Sequence, residues 1–125
     1  VFSTKTKEGH LIEGLQDWVH LSEIHTMFAF DHHRPTRPVA EAQQLTLRMI
    51  RELVTEGQSI LGEPDNKRPS RFEAWDIPLD EAMAEIEHKY VTNFGDRWNW
   101  VTCAWLQLTE RGKALALRLY HADEP

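Results

Sequence analysis

The sequence predicts an α+β protein, mostly helical with a small antiparallel sheet. Two segments, 38–56 and 79–91, repeat apolar residues at three- and four-residue spacing, the rhythm of one helix face. The stretch from Trp98 to Leu108 is rich in aromatic and β-branched residues, as strands are. A length of 125 residues with 41% apolar composition supports one core of ordinary size and leaves no room for a second.

In chain order, Val1 to Gly9 is polar and mixed in charge and is expected as a loose arm. Leu11, Ile12 and Leu15 share a face of one or two helical turns, and Asp17 to Leu21 alternates as a short strand does. Ser22 then reads as the N-cap of a short helix to about Phe30. Asp31 to Pro38, with two His, two Arg and two Pro, is a turn.

The clearest helix runs from Pro38 to Glu56, with Pro38 suited to its first turn and Gly57 to its stop. Its apolar stripe is Ala42, Leu45, Met49, Ile50 and Leu53, which leaves Glu41, Gln44, Arg48, Arg51 and Glu52 toward solvent. Gln58 to Gly62 is a short strand and Glu63 to Ser70 a loop. The helix from Leu79 to Val91 carries a narrow stripe of Leu79, Met83, Ile86 and Tyr90, expected to pack on the neighbouring strands. Asn93 to Asn99 is a turn. In the strand from Trp98 to Leu108, period two places Trp98, Trp100, Thr102, Ala104, Leu106 and Leu108 on one face, with Val101, Cys103 and Trp105 on the other. Thr109 caps a last helix to about Tyr120, in which Ala114, Leu115 and Leu119 reach the core.

Two passages carry a family likeness. Leu108-Thr109-Glu110-Arg111-Gly112-Lys113-Ala114-Leu115 resembles the step from the last wing strand into the C-terminal helix of bacterial winged-helix regulators. Met49 to Gly57 is similar to the end of that family's third helix, running into the first wing strand. The resemblance covers Trp18 to Gly62 and Val101 to Leu119. It implies one winged-helix-like domain over residues 1–125, with 63–96 as a helical insertion between the wing strands.

The charge pattern argues against the family's usual ligand. Fourteen Lys and Arg against 20 Asp and Glu give a net charge of −6, whereas neutralising phosphates takes cations. The first turns of the long helix hold Val39, Ala40, Glu41, Gln43 and Gln44, with no Arg or Lys for a groove. Gln43 and Gln44 retain the chemistry to read adenine edges, and Arg34 and Arg37 to touch a DNA backbone. A winged-helix transcriptional regulator binding DNA is therefore the alternative reading.

Other functional classes find little support. The single Cys103 excludes an internal disulfide, and no apolar run reaches a membrane span, so a cytoplasmic protein without a membrane partner is expected. His20, His25, Asp31, His32 and His33 form the densest group of metal-ligand types. The five-residue step from His20 to His25 fits neither one helix face nor a familiar zinc spacing, so no metal or other cofactor is expected. Cys103 reads as a small buried hydrophobe, and the acids of the 79–91 helix as a solvated face. With no phosphate loop or serine elbow, no catalytic residue is assigned and the chain is not read as an enzyme.

What remains is the insertion. From Glu63 to Asp96 it carries nine acidic residues against four basic ones, a balance of −5. Trp75, Trp98, Trp100 and Trp105, with Phe72 and Phe94, lie within or beside it. Acids that steer and aromatics that anchor suit a basic protein partner. The candidate partner-binding residues are Trp75, Asp76, Asp80, Glu81, Glu85 and Glu87. The plainer alternative is that the acids serve solubility and Trp75 belongs to the core. The small, acidic, noncatalytic chain has a general likeness to small bacterial toxin-immunity proteins that mask cationic nuclease domains. That resemblance implies an immunity protein neutralising a basic toxin domain, while oligomeric state and the toxin's identity are not legible.

Overall fold

The computed structural model describes residues 7–122. The chain enters them directly as helix α1 (Lys7–Glu13), so Lys7 to Gly9 are helical and not part of an arm; Val1 to Thr6 lie outside the described residues. Gly9, His10 and Leu11 are buried, which is why this short helix forms: it packs against the last helix of the chain.

Strand β1 (Val19–His20) leads straight into α2 (Leu21–Ala29). The N-cap is His20 and not Ser22. His20 is extended, at φ −99° and ψ 164°, and its N–H donates to Glu23 Oε2 at 2.9 Å. Ser22 lies inside the helix, where its hydroxyl bonds His20 Nδ1 at 2.8 Å. Pairing of His20 with Trp105 holds the chain extended up to His20, and the helix starts at the next residue. The expected turn after α2 is a small hairpin of β2 (Phe30–Asp31) and β3 (Arg34–Pro35). Its two central residues, His32 and His33, both have positive φ, 49° and 68°.

Helix α3 (Val39–Thr55) ends at Gly57, whose φ of 73° is the left-handed stop expected of a glycine there. Its buried face is wider than the predicted stripe. Gln43 and Thr46 join Ala42, Met49, Ile50 and Leu53, while Leu45 is only half-buried, because α2 packs on one side and the insertion on another.

Strand β4 (Ser59–Pro64) pairs on one edge with β6 (Trp105–Leu108) and on the other with β5 (Phe72–Ala74), a strand inside the segment expected as a helical insertion. The antiparallel order is β1-β6-β4-β5. With three helices before β4 and α6 (Glu110–Ala122) after β6, the topology is winged-helix-like, and the segment between the wing strands spans residues 65–104.

That segment contains α4 (Leu79–Glu87), which runs on as a single π turn over His88–Thr92. Met83, Ile86 and Tyr90 are buried and Leu79 half-buried, so the predicted stripe is the packed face. It packs chiefly on α3, and Leu79 and Ala82 also share a small hollow with Ile60 and Leu61 of β4. The extended strand expected from Trp98 is shorter. Arg97–Trp100 forms one helical turn, α5, and only Trp105 to Leu108 is strand. Trp100 turns inward, stacks on Phe94 at 4.8 Å and donates its indole N–H to the Phe94 carbonyl at 2.8 Å. Aromatic composition here records burial of one ring and not strand pairing.

Thr109 caps α6 as expected: its hydroxyl accepts the Gly112 N–H at 3.0 Å and donates to the Gly57 carbonyl at 2.6 Å. Gly112 and Ala116 are the buried positions, Leu115 and Leu119 are half-buried, and Ala114 is exposed, contrary to its expected place in the core. The helix approaches so closely that Gly112 lies against the Gln58 carbonyl, which rotates the contact face onto the small residues four apart. The core is continuous from Leu11, Leu21, Ile24 and Phe28 through Ile50, Leu53, Leu61, Leu106 and Leu108 to Ile86, Tyr90 and Trp100.

Candidate protein-binding surface

Helix α4 lies alongside the exposed flank of α3. Arg51 Nη1 donates to Asp80 Oδ1 at 2.7 Å across the two helices. Beyond this pair a groove of about 310 Å³ is lined by Gln44, Leu47, Arg48 and Arg51 from α3 and by Met83 and Glu87 from α4. In a winged-helix protein that reads DNA, the third helix enters a major groove about 12 Å wide. Two helices side by side, each about 10–12 Å across, do not enter together.

The polar chemistry of α3 changes accordingly. Gln43, one of the two side chains expected to be free for adenine edges, is buried and donates its amide to the Tyr90 carbonyl at 3.1 Å. The π turn places that carbonyl toward α3. Gln44 stays exposed, flanked by Arg48 and, across the groove, by Glu87. Arg37 is occupied by the Phe28 carbonyl at 2.8 Å and by Glu41 at 3.6 Å.

Asp76, Asp80, Glu81, Glu85 and Glu87 are all exposed. Asp80 and Glu87 are turned to α3, Asp80 through Arg51 and Glu87 in the groove lining, while Asp76 sits in the turn that leads into α4. Trp75 is half-buried: its backbone N–H donates to the Leu61 carbonyl at 3.0 Å, and its indole N–H reaches Glu63 Oε1 at 3.3 Å. It borders a small apolar hollow of about 160 Å³ with Ile60, Ile77 and Leu79.

The aromatic that sequence reasoning misplaced is Trp98. It was assigned to a covered strand face, yet on α5 it is 92% exposed. Large apolar side chains in that state are the informative exceptions on a protein surface. The turn α5 that carries Trp98 packs on the π turn at the end of α4. No local sequence pattern separates Trp98 from Trp100. Which one turns inward depends on the ring pocket formed by His25, Tyr90 and Phe94.

Cys103 is half-buried in the turn before β6 and not in the strand; burial pushes its thiol up to about 11, so it is protonated at neutral pH. The four histidines are dispersed. His20 stands edge-on to Trp105 on the sheet, His25 is buried against Tyr90, and His32 and His33 occupy the hairpin tip. Among the described residues no three His, Cys, Asp or Glu side chains are grouped to hold a metal ion. Among them, too, no helix is long and apolar enough to cross a membrane. Comparison with known protein families, curated proteins and solved structures returns no match.

Proposed function

We propose that this protein is a noncatalytic protein-binding module, an immunity protein that neutralises a basic toxin domain. The supporting observation is the seating of α4 beside α3, which broadens the surface where a DNA-reading winged helix would present one narrow helix. Asp76, Glu81, Glu85 and Glu87 are exposed on α4 and the turn that leads into it, and they attract a cationic partner over distances of about a Debye length. Trp98 supplies an anchor that needs no rearrangement to be buried, and Trp75 with Ile77 offers a second apolar contact at the start of α4.

The roles separate kinetically. Replacing Glu81 and Glu85 by Lys slows association and flattens its salt dependence, while Trp98→Ala chiefly speeds dissociation. Both changes fall on exposed positions, so the variants fold. The test is coexpression with a basic toxin domain encoded beside this chain, followed by binding kinetics. Rescue of growth by the wild-type chain, weakened by these variants, is the expected result. Failure of the wild-type chain to rescue or bind overturns the reading. Unchanged rates in both variants remove α4 and α5 from the interface.

A further inference from the structure

A second concave site lies on the opposite chemistry. It is a cleft of about 540 Å³ that takes no residue from α3 or α4, and its volume is within the range of small-molecule sites, about 300–1,000 Å³. It opens on the outer face of the sheet. The register places Val19, Leu61 and Leu106 together on the core side and leaves His20, Gly62 and Trp105 on the other.

Two indoles line the cleft, Trp18 and Trp105, both half-buried. Each is braced by one aromatic neighbour: Trp18 meets Phe72 edge-to-face at 5.2 Å, and Trp105 meets His20 at 4.9 Å. The Phe72 ring that braces Trp18 lies over Gly62, where any side chain would collide with it. Around the indoles stand the amides of Gln16 and Gln107, the hydroxyl of Ser70 and the ammonium of Lys113. Among the described residues Asp17 is the one acid in the lining, and its Oδ1 accepts the backbone N–H of Trp18 at 2.7 Å.

The loop over the cleft is basic and ordered by its own carboxylate. Asp65 Oδ1 accepts the backbone N–H groups of Lys67 at 2.8 Å and Arg68 at 3.1 Å. Lys67, Arg68 and Arg71 are exposed and form no ion pair among the described residues. Among the described residues Lys113 has only the loose company of Glu110 at 3.4 Å, whose side chain is 93% exposed. Lys67, Arg68, Arg71 and Lys113 thus stand in or beside this lining against Asp17, Asp65 and Glu110, in a chain whose net charge is −6.

We propose that this cleft binds a nucleoside monophosphate. An aromatic base stacks on an indole, since every base has a π-face. The Gln16 and Gln107 amides meet the polar edge of the base, and Asp17 accepts from ribose hydroxyls. Lys113, Ser70 and the loop cations meet the phosphate. The overall negative charge favours a single small anion over a polyanionic strand. The site stands independently of the acidic face, so it survives or fails separately from the proposed toxin-binding role.

The test is tryptophan fluorescence and calorimetry with AMP, GMP and UMP, set against adenosine, inorganic phosphate and a thymidine decanucleotide. Saturable one-to-one binding of at least one monophosphate is expected with a dissociation constant below about 1 mM, a free energy beyond about −4 kcal/mol. Adenosine and phosphate alone should bind at least tenfold more weakly. Lys113→Glu and Arg68→Glu, both at exposed positions, should each weaken the monophosphate at least tenfold, with Trp18→Leu reporting on stacking once its circular dichroism matches wild type. No saturation by any monophosphate overturns the proposal. So do equal affinity for phosphate alone, preference for the oligonucleotide, or wild-type binding in both charge-reversal variants.

Discussion

The Tyr90 hydroxyl hydrogen-bonds Nδ1 of His25, joining the π turn of the insertion to the second helix of the body. Around them Phe94 and Trp100 close an aromatic pocket, at 5.4 and 5.5 Å from the imidazole. Burial lowers the His25 pKa and raises that of Tyr90, so both are neutral at physiological pH. The insertion is therefore keyed to the core by a polar pair as well as by apolar contact.

Tyr90→Phe keeps the ring and removes the hydroxyl, leaving His25 Nδ1 unpartnered in that pocket. The expected loss is about 1–3 kcal/mol. Urea midpoints equal to wild type would show that the pair contributes nothing.

Ile86 is 1% exposed on the packed face of α4. Ile86→Ala should cost about 2–4 kcal/mol, whereas Glu85→Ala, one residue away and exposed, should stay within about 0.5 kcal/mol. Similar midpoints for the two variants would remove α4 from the cooperative core.

Gly112 separates two principles of opposite sign. Helix propensity alone predicts that Gly112→Ala stabilises α6 by about 1 kcal/mol. The Gln58 carbonyl occupies the space a methyl group would need, so α6 must shift away from β4 and the net effect should be destabilising by at least about 1 kcal/mol. A raised melting temperature would contradict the close packing.

At the hairpin tip, His32 and His33 both hold left-handed backbone that Asn and Gly adopt at lower cost. Replacing the pair by Asn-Gly should stabilise by about 1–2 kcal/mol, read as a higher urea midpoint. A lower midpoint would mean that the two imidazoles contribute contacts of their own.

His10 supplies a pH dependence. It is 1% exposed, its Nδ1 has no hydrogen-bond partner among the described residues, and burial lowers its pKa from 6.5 to about 4. The unfolded chain thus takes up a proton below about pH 6.5 that the folded chain refuses until about pH 4, so stability falls with pH across that window and levels off beneath it. The full effect is about 3 kcal/mol. His10→Leu should flatten the loss between pH 7 and 5, and an identical loss in both proteins would assign it elsewhere.

For nucleic acid, the paired helices and the −6 charge predict weak binding of random duplex, with a dissociation constant no tighter than about 1 μM near 150 mM salt. Fluorescence anisotropy measures it. Submicromolar binding would restore the regulator reading.

Much of the fold was legible because its signals are local. The period of Ala42, Met49, Ile50 and Leu53, the Gly57 stop and the Thr109 cap each act within a few residues, and each recurs in the structure. The stripe of Met83, Ile86 and Tyr90 likewise determined which face of α4 is buried. It did not determine against what. That α4 seats on α3, that Gln43 is consumed by the Tyr90 carbonyl, and that Trp100 turns inward while Trp98 stands in water depend on groups brought together from far apart in the chain. Periodicity records that a side chain is covered, since hydrophobic burial has no direction; the partner that covers it is chosen by long-range packing and by hydrogen bonds that must be satisfied together, and only the tertiary structure decides those.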